Sequence, residues 1–307
     1  MPITKSEFIW MDGKLVPWDQ ANIHILSHVI HYGSGLFEGI RVYNTKRGPA
    51  AFRLADHIDR LFNSAKIYRF TMPWTREQVA AACLETVRVN KLDECYIRPL
   101  VYRGYGEMGV NPLKNPVNLA IAVWPWGAYL GAEALEQGVD TMVSSWSRTA
   151  PNTTPATAKA TANYMNSQLM KMEALEYGFA EGISLDVYGS VAEGSGENIF
   201  VVHHGEIITP PLYASILPGI TRDGVITLAQ EMGIRVREEQ IPRGLLYYAD
   251  EVFFTGTASE VTPVRSVDKI LVGEGKRGPV TGKLQAAYLG ICRGDLPDTR
   301  GWLTPIK

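Results

Sequence analysis

The chain has 307 residues, a formal net charge of −2 and no block of Lys and Arg. This charge pattern argues against a nucleic-acid or anionic-membrane partner, and the length predicts two domains. Apolar residues make up 46% and charged residues 20%, as in a globular protein with a packed core. No signal-peptide core and no run of about 18 apolar residues occurs, so we expect no membrane segment.

Cysteine and histidine usage points to no covalent framework and no metal. Cys83, Cys95 and Cys292 are odd in number, far apart and outside any CxxC motif. They support neither a disulfide framework nor a zinc site, and they fit a reduced, cytoplasmic protein. None of the six histidines has metal-ligand spacing with a carboxylate or cysteine, so no metal is expected.

The first part of the chain combines hairpins and helices. Asp12-Gly13 between two apolar runs is typical of a type I′ hairpin. Residues 27–39 are rich in Gly and aromatic residues, but a strand over 40–43 follows instead of a helix, which excludes a dinucleotide fingerprint. The other elements predicted here are helices over 56–68 and from the capping box at Thr75 through 89, and strands over 95–103 and 119–124.

Trp-Pro-Trp-Gly-Ala-Tyr-Leu-Gly at 124–131 is punctuated by Pro and Gly and predicts the domain boundary. We therefore expect a small N-terminal α+β domain over 1–125, a linker over 126–136 and a large C-terminal domain over 137–307. Strands outnumber helices and many are hairpin-linked, which favours α+β over a doubly wound parallel sheet. The elements predicted after the boundary are strands near 139–146, 182–187, 199–202, 206–209, 234–236 and 251–254, and helices after Lys159, after 217–222 and near 282–292.

Lys159 lies in the small-residue stretch Ala-Thr-Ala-Lys-Ala-Thr-Ala at 156–162. Small neighbours leave room for a planar partner, and burial lowers the pKa of a lysine so that its amine attacks a carbonyl. A Schiff-base lysine fits this setting, although a solvated loop lysine is the commoner case for such a stretch alone. The helix that follows has apolar residues at the spacing of one face: Met165, Leu169, Met172 and Leu175.

Two segments favour phosphate binding. Pro218-Gly-Ile-Thr221 places backbone N–H groups and a hydroxyl at a helix N-terminus, where the macrodipole favours an anion. Gly256-Thr257 at a strand end offers further N–H donors, and Arg60 offers a guanidinium. Glu193, in a glycine-rich turn, is suited to pair with a protonated heterocyclic nitrogen. Singly, each feature is also explained by plain capping, a solvated helix face or a turn acid.

Together these residues compose a family pattern. Glu193-x-Ser-x-x-Asn-Ile-Phe, six residues, Ile207-x-Thr, seven residues, Leu217-x-Gly-Ile-x-Arg222 resembles the signature of the class IV, fold-type IV pyridoxal-phosphate aminotransferases. Along nearly its whole length the chain resembles the branched-chain amino-acid aminotransferases. The segments that carry this resemblance are His31-Tyr32-Gly-x-Gly-x-Phe37-Glu-Gly39-Ile-Arg41, Tyr96-Ile-Arg98-Pro, Met108-Gly-Val110-Asn-Pro, Pro125-Trp126-Gly-Ala-Tyr129, Ala150-Pro-Asn, Lys159-Ala-x-x-Asn-Tyr164 and Gly256-Thr257-Ala258-x-Glu260-Val-Thr-Pro-Val264.

The resemblance implies a two-domain fold-type IV architecture with the active site in the interdomain cleft and pyridoxal 5′-phosphate as cofactor. Lys159 is implied to be the catalytic residue and to hold the cofactor as a Schiff base. Glu193 is implied to pair with the pyridine nitrogen and Tyr164 to bond the phenolic oxygen. The other implied cofactor contacts, to the phosphate or the ring, are Arg60, Leu217, Ile220, Thr221, Gly256 and Thr257.

The implied substrate pocket is apolar and contains one distal charge. Phe37, Trp126 and Tyr164 are implied to line it, with Tyr32 and Val110 contributed by a partner subunit. The other implied substrate contacts are Tyr96 and the backbone of Thr257 and Ala258 for the α-carboxylate, Arg98 with Tyr129 for the side-chain carboxylate of glutamate or 2-oxoglutarate, and Gly39 and Arg41 in the same layer. Tyr96 and Arg98 share one face of a strand, so both side chains can point into one cleft.

The implied activity is reversible, ping-pong transamination of Leu, Ile and Val with 2-oxoglutarate, which gives branched-chain 2-oxo acids and L-glutamate. Shared active sites imply a homodimer or a larger oligomer. D-amino-acid transaminase, (R)-amine transaminase, aminodeoxychorismate lyase and a non-catalytic binding protein of the same fold remain alternatives. Bacterial members commonly read Lys-Ala-Gly-Gly-Asn-Tyr, whereas this chain has Thr161-Ala162 at the two glycines, which predicts a stiffer loop beside the lysine.

Overall fold

The computed structural model describes residues 3–127 and 133–307. The predicted substrate residue Tyr129 and part of the predicted linker therefore lie outside the described residues. The chain divides into two compact units, the first comprising Met1–Gly127, Ala158–Ala162 and Ile291–Lys307 and the second Ala128–Thr157 and Asn163–Gly290. The units are discontinuous, unlike the predicted domains, because Ala160 bridges to Leu36 and the C-terminal strand pairs within the first unit.

The described residues contain both α-helices and β-strands, with strands in the majority, which confirms the predicted α+β class. The strands are β1 (Phe8–Met11), β2 (Lys14–Pro17), β3 (Gly35–Phe37), β4 (Ile40–Thr45), β5 (Gly48–Phe52), β6 (Cys95–Arg103), β7 (Val117–Pro125), β8 (Val139–Val143), β9 (Glu181–Leu185), β10 (Val191–Gly194), β11 (Asn198–His203), β12 (Glu206–Thr209), β13 (Val236–Glu238), β14 (Glu251–Gly256), β15 (Glu260–Val267), β16 (Ile270–Leu271) and β17 (Leu303–Pro305). The α-helices are α1 (His28–Tyr32), α2 (Leu54–Ile67), α3 (Arg76–Val89), α4 (Ala134–Gln137), α5 (Tyr164–Glu176), α6 (Ile220–Glu231) and α7 (Pro279–Cys292).

The first unit is built on an antiparallel sheet with the strand order β17-β5-β4-β6-β7-β1-β2, and β3 pairs with β6. The predicted hairpin at Asp12-Gly13 joins β1 to β2, with positive φ angles of 47° and 93° at these two residues. Thr75 and Gln78 form the predicted capping box of α3. Ile58, Leu61 and other apolar side chains of α2 pack into the core of this unit as predicted.

The second unit contains a mixed sheet with the strand order β10-β9-β8-β15-β14-β11-β12-β13. Because β10 also pairs with β11, the six strands β10, β9, β8, β15, β14 and β11 form a closed circuit. The pairs β8–β9, β8–β15 and β12–β13 are parallel, and the other pairs in the sheet are antiparallel. The core of this unit includes four apolar side chains of β11 and β14, namely Ile199, Val201, Val252 and Phe254.

The helix predicted after Lys159 is α5, but the apolar residues at one-face spacing do not form its buried side. Met165, Met172 and Leu175 are exposed, whereas Ser167, Met170 and Ala174 are buried. The helix lies so close to β9 that a Cβ atom placed on Gly182 would be 3.0 Å from the carbonyl oxygen of Met170. At that separation small residues occupy most of the buried face. The side of the helix with the larger apolar residues is therefore not the buried one.

The glycine-rich stretch after residue 27 also holds α1 and β3, which the sequence pattern did not predict. Throughout residues 3–127 and 133–307, helices fall short of the length and apolar character needed to cross a bilayer.

Candidate active site

Lys159 lies in a short segment that pairs with the edge of β3. The backbone N–H of Phe37 donates to the carbonyl oxygen of Lys159 at 3.0 Å, and Ala160 bridges to Leu36. The backbone N–H of Lys159 donates to Ser64 Oγ in α2 at 3.1 Å. The backbone of Lys159 is therefore held by β3 through its carbonyl group and by α2 through its N–H group. The side-chain Nζ of Lys159 lies 4.9 Å from the centre of the Phe37 ring.

Thr161 adds a side-chain attachment to this segment. Its hydroxyl Oγ1 lies 2.8 Å from the carbonyl oxygen of Gly33 and 3.2 Å from that of Gly35, to which it donates. A Cβ atom on Gly35 would be 3.0 Å from both Oγ1 and Cγ2 of Thr161, so the two segments already touch. The residue that replaces a glycine of the common family pattern thus ties the lysine segment to the start of β3.

Arg60 of α2 is held by a buried carboxylate that sequence reasoning did not assign. Glu38 Oε1 accepts a hydrogen bond from Arg60 Nε at 2.7 Å, and Glu38 Oε2 accepts one from Arg60 Nη2 at 2.8 Å. His57, one turn before Arg60, donates from Nδ1 to Glu38 Oε2 at 2.7 Å. The signal in the sequence was an acid inside an apolar, glycine-rich stretch together with a His-x-x-Arg pair on one helix face.

The electrostatics of this group favour a charged Glu38 and a neutral His57. Burial by itself raises the pKa of Glu38, but the charge and hydrogen bonds of Arg60, aided by His57, hold that pKa well below its usual range. Burial lowers the pKa of His57 despite its bond to Glu38. Burial also lowers the pKa of Lys159 to about 8, with the charges of Arg60 and Arg98 acting in the same direction. A lysine in this state has a much larger fraction of neutral amine near neutral pH than an ordinary lysine, as a nucleophile or proton carrier requires.

Arg98 of β6 lies among aromatic rings. Its Cζ atom is 4.8 Å from the ring centre of Phe37, 5.3 Å from that of Tyr96 and 5.7 Å from that of Trp124. We call these three rings the aromatic cage. Trp126 extends it, since its ring centre lies 4.9 Å from that of Tyr96.

Gly39 and Arg41 border the cage from β4 and the residue before it. A Cβ atom on Gly39 would lie 1.7 Å from Oη of Tyr96, so only glycine fits beside that ring. Arg41 lies opposite Tyr96 in the β4–β6 register. Its guanidinium pairs with Glu94 at 3.1 Å and lies over the ring of Tyr43.

Glu193 in β10 contacts several side chains and backbone groups of the predicted cofactor site in the second unit. Its Oε1 pairs with Arg148 Nη2 at 3.1 Å. Its Oε2 accepts hydrogen bonds from Asn198 Nδ2 and from the backbone N–H of Leu217, both at 3.1 Å. Charge and hydrogen bonds together favour the carboxylate form. Arg148, which sequence reasoning missed, also donates to Asn166 at 3.0 Å and is thereby held in place.

The predicted anion site at the start of α6 is joined to this carboxylate. Asn198 Nδ2 also donates to the carbonyl oxygen of Leu217 at 2.9 Å. A Cβ atom on Gly219 would lie 1.9 Å from Asn198 Oδ1, so the loop before the helix rests directly on this amide. Ile220 and Thr221 then form the first turn of α6, whose N–H groups point out along the helix axis. Thr221 Oγ1 lies 3.4 Å from the hydroxyl of Tyr288.

The turn that carries Gly256, Thr257 and Ala258 lies at the same end of the sheet. Asn198 pairs with Thr255 in the β11–β14 register, and Thr257 and Ala258 are half-buried in the loop between β14 and β15. Tyr164 is the first residue of α5 and is also half-buried.

Glu197 is a second buried acid near this turn. Its Cγ would lie 3.4 Å from a Cβ atom on Gly256, and Oε2 accepts the backbone N–H of Gly196 at 3.0 Å. Burial, followed by the charge of Glu181, raises the pKa of Glu197 to about 8. The charge of Lys171 acts in the opposite direction. Glu197 is therefore protonated over most of the neutral range.

Tyr32 and Val110 lie on an exposed surface of the first unit. Val110 is 86% exposed and Tyr32 is 43% exposed. His28 Nε2 donates to the carbonyl oxygen of Gly109 at 2.8 Å, which fixes α1 against the loop that carries Val110. Within the first unit the structure thus brings together Lys159, Arg60, Phe37, Tyr96, Arg98 and Trp126, and within the second unit Glu193, Leu217, Ile220, Thr221, Gly256 and Thr257.

Comparison with known proteins places this arrangement in a family. Residues 35–267 match the model of Amino-transferase class IV. The branched-chain-amino-acid aminotransferase of Salmonella typhimurium is 52% identical over 308 residues, which cover 100% of both chains. The crystal structure of the branched-chain amino acid aminotransferase of Escherichia coli has a TM-score of 0.97 and 52% identity, covering 99% of this chain and 100% of that one.

A further solved structure carries the cofactor. It is the branched-chain amino acid aminotransferase of Thermobaculum terrenum in its PLP form, the holo form. This structure has a TM-score of 0.92 at 34% identity and covers 99% of both chains. The chain therefore belongs to the class IV aminotransferases and, within them, to the branched-chain-amino-acid aminotransferase family.

Proposed function

We propose that this protein catalyses the reversible transamination of L-leucine, L-isoleucine and L-valine with 2-oxoglutarate, giving the branched-chain 2-oxo acids and L-glutamate. The observation that carries the proposal is the aromatic cage beside a lysine whose pKa is lowered to about 8. The rings of Phe37 and Trp126 suit an aliphatic side chain, and the single guanidinium of Arg98 suits the distal carboxylate of glutamate. Such a pocket separates Leu, Ile and Val poorly, because one methylene is worth about 1–3 kcal/mol.

Pyridoxal 5′-phosphate is the cofactor of this family, and the residues present fit it. Lys159 supplies a neutral amine for its aldehyde, Glu193 a carboxylate for its ring nitrogen, and the first turn of α6 the N–H donors for its phosphate. When bound, the cofactor withdraws electrons from the α-carbon of the amino acid.

Individual roles follow as part of the proposal. Lys159 Nζ takes the proton from the substrate α-carbon, and its lowered pKa matches that task. Arg148 and Asn198 keep the Glu193 carboxylate oriented. The remaining proposed cofactor contacts are Arg60, Tyr164, Leu217, Ile220, Thr221, Gly256 and Thr257.

The substrate is proposed to be held by its two ends. Arg98 receives the side-chain carboxylate, and Tyr96 with the backbone of Thr257 and Ala258 receives the α-carboxylate. The remaining proposed substrate residues are Tyr32, Phe37, Gly39, Arg41, Val110, Trp126, Tyr164 and Tyr129.

Initial rates with 2-oxoglutarate as acceptor test the activity. L-leucine is expected to be a good donor and to give the parallel double-reciprocal lines of ping-pong kinetics, whereas D-alanine, (R)-1-phenylethylamine and aminodeoxychorismate are expected to be poor substrates. The Lys159→Ala protein should lose turnover and the visible absorbance of the bound cofactor, with Lys171→Ala as a matched control. Absence of turnover with L-leucine in the wild-type protein would refute the proposal.

We further propose that the protein self-associates through an exposed apolar surface of the first unit. This surface consists of Ile25, Ile30, Tyr32, Tyr105 and Val110. A group of exposed apolar side chains on one surface is typical of a protein–protein interface. Analytical ultracentrifugation should find a dimer or a larger oligomer that Val110→Glu weakens and Leu296→Glu, at another exposed position, does not; a monomeric wild-type protein would contradict this.

We also propose that the enzyme works in the cytoplasm. Cys83, Cys95 and Cys292 are all buried free thiols, which fits a reducing compartment. Cell fractionation followed by immunoblotting tests this location, and recovery in an exported fraction would contradict it.

A further inference from the structure

Trp124 lies beside the proposed substrate residues although no motif of the sequence marks it. It pairs with Tyr96 in the β6–β7 register and is only 7% exposed. Side chains of directly opposed residues in an antiparallel pair lie on the same face. Arg98 lies opposite Ala122, whose single methyl leaves space over β7 for the guanidinium.

The three rings of the aromatic cage act on one cation. All three ring centres lie within 5.7 Å of Arg98 Cζ, inside the range of about 6 Å over which cation–π attraction is significant. Trp has the strongest ring for this interaction, and the cage is largely shielded from water at Tyr96 and Trp124. Trp124 therefore contributes a substantial part of what holds Arg98.

Two other arginines of the first unit, one on this sheet face and one in α2, have acidic partners. Arg41 pairs with Glu94, and Arg60 pairs with Glu38. Arg98 forms no ion pair and donates no side-chain hydrogen bond to any residue that the structure describes, and its Nε is buried. Aromatic rings engage the flat side of a guanidinium, whereas a carboxylate binds in its plane through two parallel N–H groups. The cage thus fixes Arg98 and leaves its in-plane donors for a ligand.

We propose that Trp124 is a specificity-determining positioning residue, which holds Arg98 through its ring and so sets the affinity for dicarboxylic substrates relative to aliphatic ones. The inference rests on the proposed transamination, in which one pocket receives both classes. An aliphatic side chain is proposed to pack against Phe37 and Trp126 and makes little use of the guanidinium. A distal carboxylate needs the guanidinium in one fixed place, and loss of the Trp124 ring loosens it.

Equilibrium binding to the holoenzyme tests this without turnover. Calorimetric titrations with glutarate and with 4-methylvalerate compare a dicarboxylate with an aliphatic acid. Trp124→Met should weaken glutarate binding roughly tenfold, which is about 1.4 kcal/mol, and change 4-methylvalerate binding by less than roughly twofold. Trp124→Phe, which keeps a ring, should restore most of the glutarate affinity. In the steady state, Trp124→Met should raise the KM for 2-oxoglutarate by a larger factor than the KM for L-leucine.

A double-mutant cycle separates a role through Arg98 from a general packing role. In an Arg98→Met background, Trp124→Met should have no further effect on glutarate affinity. Equal weakening of both ligands by Trp124→Met, or additive losses in the double variant, would overturn the inference. A wild-type enzyme that binds both acids but does not transaminate L-leucine would instead refute the proposed function, so the two failures are distinguishable.

Discussion

Replacement of Glu38 by Gln should destabilise the protein by about 3–5 kcal/mol at neutral pH. The side chain is fully buried and accepts two hydrogen bonds from Arg60, at 2.7 and 2.8 Å, and one from His57 at 2.7 Å. Gln keeps the shape but removes the negative charge, which leaves the Arg60 cation uncompensated. Loss of one partner of a buried ion pair typically costs this much.

The effect should depend on pH in a defined direction. The pKa of Glu38 is lowered in the folded protein, so its contribution to stability is fully present above its ordinary value of 4.5 and is lost as pH falls further. The stability difference between wild type and Glu38→Gln should therefore be constant from pH 7 to about 5 and shrink at more acidic pH.

Urea unfolding of the apoproteins at pH 7 and pH 4 measures both quantities. Asp59→Asn is a control, since Asp59 lies on α2, the helix of Arg60 and His57, and pairs with Arg76 at 2.7 Å with both side chains about half exposed. That variant should lose less than about 1 kcal/mol. The assigned role of Glu38 would be refuted if its substitution cost no more than the control, or if the difference did not change at acidic pH.

Four further outcomes are expected. The rate at which the apoprotein combines with pyridoxal phosphate should rise with pH through about 8, the pKa of Lys159, followed by stopped-flow absorbance; an inflection near 10.5 would contradict the burial effect. Arg148→Met should weaken cofactor retention in equilibrium dialysis, because the buried carboxylate of Glu193 loses its cation, and Arg148→Lys should recover part of the loss. Thr161→Gly should lower the free energy of unfolding by about 1–2 kcal/mol through a lost hydrogen bond and added backbone freedom, whereas Thr161→Ser should be nearly neutral. Glu197→Gln should leave stability unchanged below about pH 4.5 and raise it progressively relative to wild type up to about pH 8, because over that range the unfolded wild-type chain ionises Glu197 while the folded protein keeps it protonated; an equal stability difference at pH 4 and pH 8 would contradict the raised pKa.

Sequence patterns predicted correctly those turns and helix ends that depend only on neighbouring residues. The Asp12-Gly13 turn and the Thr75 capping box depend on a few adjacent residues, and both were found where the sequence placed them. Strand β6 matched its predicted limits of 95–103 because its alternation and its flanking polar residues are clear in the sequence.

The pairings behind the site were not predictable in this way. Glu38 and Arg60 are separated by 22 residues, and their contact depends on the packing of α2 against β3, the strand that directly precedes Glu38. Arg148 and Glu193 are brought together by the closed strand circuit of the second unit. The family resemblance identified Arg60 and Glu193 from the sequence. The residues that orient them, Glu38 and Arg148, could be identified only from the folded structure.

The buried side of α5 also could not be read from apolar spacing. Apolar periodicity assumes that the buried side needs the larger side chains. Here the helix approaches β9 so closely that Ser167 and Ala174 fill the contact, while Met165 and Met172 remain outside.

The side chain of Asn198 connects two proposed parts of the cofactor site, the Glu193 carboxylate and the start of α6. One amide group donates both to the carboxylate of Glu193 and to the carbonyl oxygen of Leu217, just before the first turn of α6. The span from the acidic group to the helix terminus is thus set by the dimensions of a single side chain. In the proposed function, a substitution at Asn198 would therefore disturb both the carboxylate proposed for the ring nitrogen and the helix start proposed for the phosphate.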